Sequence, residues 1–95
     1  MNLKHATNMV EGFIIRGDSA VSRFDYESAS QFYDAALAIV ETLRGKRNLA
    51  VLDPLLRLVR VNRERGRDEL NAHLIARAQS ITFAHANDPN CPSLQ

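Results

Sequence analysis

Residues 13–39, FIIRGDSAVSRFDYESASQFYDAALAI, come back 42 positions later as residues 55–81, LLRLVRVNRERGRDELNAHLIARAQSI. Sliding the chain onto itself by 42 sets Phe13 on Leu55, Gly17 on Val59 and Phe24 on Gly66. It also sets Tyr33 on Ile75, Ala36 on Ala78, Leu37 on Gln79 and Ile39 on Ile81. Only the exchange of Leu37 for Gln79 loses the packing character. A fixed period of this size marks stacked supersecondary units, none of which can bury its apolar face alone.

The spacing inside each copy is helical. Leu3, Val10, Phe13, Gly17, Ala20 and Phe24 predict a first helix from about Leu3 to Arg23. Gly17 costs about 1 kcal/mol against Ala inside a helix, which makes sense where a second helix crosses closely. Asp25 is placed to cap a second helix running from Tyr26 to Leu43, and Gly45 offers a left-handed stop. The third helix has two candidate starts, Asp53-Pro54 and Asn48. The favoured arrangement is a short turn at 49–52 and a main helix from Pro54 to about Arg65. With Asn48 as the cap, Pro54 falls inside the helix and removes one hydrogen bond. Gly66 marks the next corner, and a fourth helix is expected from Asp68 to Ala84. Residues 86–95, with their Asn, Asp, Pro and Ser, read as a frayed tail.

The residues of this echo resemble the tetratricopeptide repeat in its 42-residue, kinesin-light-chain-like form. Phe13 and Gly17 stand as the large and small residues of the first repeat helix. Phe24-Asp25-Tyr26-Glu27-Ser28-Ala29 is similar to the family's Gly-Asp-Tyr-x-x-Ala corner, with Tyr33, Ala36 and Leu37 at the family spacing. The second copy keeps Leu55, Leu58 and Val59, then Gly66-Arg67-Asp68-Glu69, then Ile75, Ala78 and Ile81. Three positions depart from the pattern: Arg16 stands for Leu, Phe24 for the corner Gly and Asn71 for Ala. The resemblance implies an all-α fold of two stacked antiparallel helix hairpins, a four-helix fragment of a right-handed α-solenoid. It implies one domain over residues 1–85, with repeats at about 10–45 and 48–84. Its packing residues would be Phe13, Gly17, Ala29, Tyr33, Ala36, Leu55, Val59, Ile75 and Ala78.

Composition agrees with one small α-helical domain. Ninety-five residues hold a modest core, aromatics are 6% and Trp is absent. No run of about 18 apolar residues exists to span a membrane. The N-terminus shows no secretory pattern, and the single Cys91 has no internal disulfide partner, so a cytoplasmic setting is expected. Two hairpins are fewer than the three repeats usually needed for stability. Phe83 and Ile81 are therefore expected to stay partly uncovered, favouring a homodimer or a place in a larger assembly.

The net charge of +1 hides a basic middle. Residues 44–67 carry eight basic side chains against Asp53 and Glu64. Arg57, Arg60 and Arg63 climb one side of the third helix. Under the resemblance they fall at or beside the concave groove, where basic residues of the family clamp a peptide carboxylate. The planar guanidinium fork suits that partner. The competing explanation is a solvated face with Asp53–Arg57 and Arg60–Glu64 pairs at i,i+4 spacing. Phosphate contacts are a third use of the basic segment, though no aromatics interleave it for base stacking. As a reader helix, the fourth helix would offer one Arg, Arg77.

Chemistry-bearing motifs are absent. His5, His73 and His85 form no ligand pair beyond Glu69–His73 at four-residue spacing, which reads as a surface contact. Cys91 lies far from any base, no Gly-rich phosphate loop occurs, and Ser19, Ser22, Ser28 and Ser30 suit capping. No catalytic residue, metal or cofactor is expected. The expected function is a non-enzymatic protein-interaction module for a peptide or protein, with an acidic partner favoured by the arginines. The alternative is a nucleic-acid-associated or transcription-regulatory accessory protein using residues 44–67.

Overall fold

The computed structural model describes residues 3–86; of the expected tail at 86–95, Ala86 belongs to the last helix, and the rest, with Cys91, lies outside the described residues. Four helices form: α1 (Leu3–Ser22), α2 (Tyr26–Arg44), α3 (Leu52–Glu64) and α4 (Asn71–Ala86). No strand occurs among the described residues. Each helix packs on the next in sequence. The short corners between α1 and α2, and between α3 and α4, make two helical hairpins.

The 42-residue echo is visible in the backbone itself. At the first corner the Asp25 N–H donates to Ala20 C=O at 2.8 Å, and the Phe24 N–H to Val21 C=O at 2.9 Å. At the second corner the Arg67 N–H donates to Asn62 C=O at 2.7 Å, and the Gly66 N–H to Arg63 C=O at 3.1 Å. These are the same two bonds shifted by 42, a Schellman closure at each helix end. The closure needs a left-handed residue. Gly66 supplies it freely at φ 72°, whereas Phe24 is held at φ 61° despite its side chain. Holding an L-residue there costs roughly 1–2 kcal/mol. The Phe24 ring is 78% exposed and meets Tyr26 edge-on.

Caps explain where the helices begin. Asp25 accepts a hydrogen bond from the Ser28 N–H at 3.2 Å. Hydrogen bonding from Ser28 also holds the Asp25 carboxyl below its ordinary pKa. Gly45 ends α2 as expected, at a positive φ of 89° that glycine enters without strain, and its ψ of 159° sends the chain outward from the helix. Asn48, not Asp53, acts as the next cap, accepting from the Ala50 N–H at 2.9 Å. It opens a 3-10 turn at Leu49–Val51 that runs directly into α3, two residues ahead of the expected start. Pro54 then sits in the first turn of α3, where its missing N–H would have had no intrahelical partner. A second 3-10 turn at Asp68–Leu70 precedes α4, which begins at Asn71 rather than Asp68.

Close packing within the hairpins rests on small or self-satisfying residues. In the first, Gly17, Ala20, Ala29 and Ala36 are buried. A Cβ on Gly17 would collide with the Tyr33 ring. In the second, the positions 42 beyond Ala20 and Ala29 are Asn62 and Asn71, both buried. The Asn62 amide donates to Asn71 Oδ1 at 3.0 Å, and the Asn71 amide donates to Val59 C=O at 3.0 Å. Both amides are thereby satisfied away from water. Between the hairpins, Leu37 and Val40 share one core cluster with Val51, Leu55, Leu58 and Val61. Arg65–Glu27 at 2.7 Å and Arg77–Glu41 at 2.5 Å tie the second hairpin back onto α2.

The two α1 glycines separate propensity from fit. Gly12 has open space around its Cα, so Gly12→Ala is expected to raise stability by up to about 1 kcal/mol. Gly17→Ala gains the same propensity but drives a methyl into Tyr33, and overpacking of about 1–3 kcal/mol outweighs it. Urea melts of the two variants should therefore move in opposite directions.

Candidate functional site

Arg57, Arg60 and Arg63 all lie on α3, but they do not act alike. Arg57 is half-buried and committed. Its Nη1 donates to Asp18 Oδ1 at 2.6 Å and its Nε to Asp53 Oδ1 at 2.8 Å. Its guanidinium lies 6.0 Å from the Tyr33 ring centre. The Tyr33 hydroxyl donates to the same Asp18 oxygen at 2.5 Å. Asp18 on α1 thus gathers Tyr33 from α2 and Arg57 from α3.

This cluster shifts the phenol. Burial pushes the Tyr33 pKa up to about 12, helped by its hydrogen bond to Asp18 and the charge of that carboxylate, with Arg57 opposing. The ordinary value is 10.0.

Arg60 joins Asp18, Val21, Tyr33, Arg57 and Val61 around a hollow of about 220 Å³. Arg63 is exposed and lies outside that hollow. The expected Asp53–Arg57 pair forms, while no Arg60–Glu64 pair does. Elsewhere in the basic segment, Arg65 binds Glu27 and Arg67 binds Glu69 at 2.9 Å. Arg44, Lys46, Arg47, Arg60 and Arg63 enter no ion pair among the described residues. Arg77 is occupied by Glu41 and by Lys46 C=O at 2.9 Å. Glu69 turns to Arg67 rather than to His73. Among the described residues no three His, Cys, Asp or Glu side chains gather as a metal-holding group.

The packing residues divide as well. Gly17, Ala29, Tyr33, Ala36, Leu55, Val59 and Ala78 are buried. Phe13 is half-buried, stacked on Phe32 at 6.4 Å and covered on its face by Arg16 at 5.8 Å. Ile75 is half-buried for a different reason: it lines an open apolar groove between α3 and α4. That groove, about 510 Å³, is bounded by Leu52, Leu56, Ala78, Gln79, Thr82 and Phe83 with Ala86. Leu56 is 51% exposed and Phe83 is 71% exposed. Ile81, expected beside Phe83 at the surface, is instead buried in the core.

The groove went unseen in the sequence, where Leu52 falls in the expected turn at 49–52 and Leu56 carries no assigned packing role. A signal was present: they fall 42 residues after Val10 and Ile14, the α1 residues that pack against the core cluster.

The fold and groove define an all-α protein of helical hairpins with an open apolar face. Compared with known protein families, curated proteins and solved structures, the chain matches none. No helix among the described residues is long and apolar enough to cross a membrane.

Tyr33 gives the site a pH signature. Its folded pKa lies above its unfolded one, so its contribution to stability is complete below pH 10 and fades as pH rises toward 12. In a Tyr26→Phe variant, absorbance at ~295 nm should show phenolate only near pH 12. Replacing Asp18 by Asn should lower that midpoint.

Proposed function

We propose that the chain is a non-enzymatic protein-interaction module of tetratricopeptide-like build, working in the cytoplasm as a small adaptor, chaperone-like or regulatory subunit. The observation that carries this reading is the apolar groove between α3 and α4, rimmed by the exposed Leu56 and Phe83. An apolar groove lined by Leu52, Leu56 and Ile75 along a helix pair suits the apolar face of a peptide or protein. Arg60 and Arg63 add exposed positive charge on α3, which favours an acidic partner. Arg57 is a positioning residue in this scheme, because Asp18 and Asp53 already neutralise it.

One observation supports the nucleic-acid alternative. Arg44, Lys46 and Arg47 lie around the α2–α3 connection and enter no ion pair among the described residues. Phosphate backbones are recognised by such groups, with binding that falls steeply as salt rises.

Capture on the tagged full chain at moderate salt, run beside a titration with duplex DNA, separates the two. The interaction reading expects a defined protein in stoichiometric amount, lost in Leu56→Glu and weakened in Arg60→Glu/Arg63→Glu. Tight binding to DNA of any sequence, abolished by moderate salt and by Arg44→Glu/Arg47→Glu, with no protein captured, would establish the alternative.

A further inference from the structure

The groove between α3 and α4 is the 42-residue image of a groove that is already filled. In the first hairpin, Val10 and Ile14 of α1 with Tyr33, Leu37 and Val40 of α2 pack with the core cluster that includes Val51, Leu55 and Leu58. Adding 42 to those five lining residues gives Leu52, Leu56, Ile75, Gln79 and Thr82, all on the wall of the open groove. Subtracting 42 from the three seated residues gives Met9, Phe13 and Arg16. These line one exposed hollow of about 440 Å³ on α1, with Gly12 between them.

We propose that the open α3–α4 groove receives the outer face of α1 from a second copy of this chain, in the pose that α3 takes on the first hairpin. This rests on the interaction-module reading and names the occupant of its groove.

The side chains are matched across that junction. Within the chain, Arg65 pairs with Glu27 at 2.7 Å. Shifted by 42, the pair becomes Arg23 of the second copy facing Glu69, and the charges remain opposite. Within the chain, Arg77 pairs with Glu41. Shifted, it becomes Phe83 facing Ala35 of the second copy, so both charges have been exchanged for apolar groups together. The core partners Leu58 and Leu37 become Arg16 of the second copy and Gln79, polar on both sides. Arg57 over Tyr33 becomes Ile15 of the second copy over Ile75, apolar on both sides. Asp18, the anchor of Arg57, becomes Arg60, and with Ile15 in place of Arg57 no like charges meet. Ile15, 67% exposed on the isolated chain, thereby gains an apolar partner.

The junction is heterologous: one copy offers its α1 face and the other its α3–α4 groove. A pair retains one unused face of each kind, so association continues past two copies unless the stack closes into a ring.

Sedimentation velocity of the full chain over a rising concentration series reads this directly. The expected result is a set of species growing beyond two copies. Ile15→Glu and Leu56→Glu, both at exposed positions, should each give monomers with unchanged helicity by circular dichroism. Mixed in equal amounts, they should form a two-chain species and nothing larger, because each supplies the face the other lacks. Arg23→Glu or Glu69→Arg alone should weaken association roughly two- to fivefold, and Arg23→Glu/Glu69→Arg should restore it. A wild-type monomer at every concentration would overturn the proposal. So would a closed dimer indifferent to Ile15→Glu, or a groove taken by an unrelated protein while copies stay apart. A monomer that still captures a partner protein would end this proposal while leaving the interaction reading in place.

Discussion

The absence of a side chain at Gly17 is the constraint on which the architecture turns. It lets the Tyr33 ring approach the α1 backbone closer than any Cβ would allow. That depth carries the phenol to Asp18, one residue further along α1. Asp18, so placed, also accepts from Arg57 of the next hairpin. A packing event between two helices thus sets the position of a third. The ion pair itself is half-exposed and contributes no more than roughly 1 kcal/mol. Its role is to fix where α3 lies, while the burial of Leu55, Leu58 and Val61 supplies most of the stabilisation.

The two hairpins reach the same geometry by different chemistry. The first brings its helices together on Ala20 and Ala29, which ask for nothing but proximity. The second uses Asn62 and Asn71 at the same positions. Amides are tolerated in a core only when every donor finds an acceptor, and here each is bonded at 3.0 Å. The corners show the reverse trade. The second uses Gly66 for its left-handed residue, while the first forces Phe24 into that conformation and leaves its ring in solvent. Both departures lie at positions where one copy of the repeat satisfies the backbone more easily than the other.

Features decided within one or two helical turns were legible in the sequence. The Asp25 cap, the Gly66 corner and the Asp53–Arg57 pair depend on neighbours three or four residues away, and each formed. The close crossing at Gly17 was legible because a glycine inside a helix needs a reason. The start of α3 was legible in part: Asn48 and a short turn at 49–52 were both read, but the 3-10 turn runs straight into the helix, which begins at Leu52 rather than Pro54. The uses of Arg57 and Arg65 were hidden. Asp18 and Glu27 lie 39 and 38 residues away in sequence, and only the stacking of hairpins brings them near. Three arginines at a spacing of three resembled a uniform basic face. Tertiary contact divides them into one neutralised anchor and two exposed charges.

The same register that arranges the core also leaves the groove between α3 and α4, since the helix-pair wall that one hairpin offers the next recurs in the second, with Gln79, Phe83 and Arg60 standing where the first has Leu37, Glu41 and Asp18. The proposed function depends on what seats there, and the register is the premise beneath it. Nuclear Overhauser spectroscopy on the full chain tests that premise most directly. The Gly17 Hα protons should show strong ring-current shifts and cross-peaks to the Tyr33 ring, and the Tyr33 ring should in turn show cross-peaks to the Arg57 side chain. Gly17 resonances at unperturbed positions, with no Tyr33 contact to either α1 or α3, would contradict the stacked arrangement.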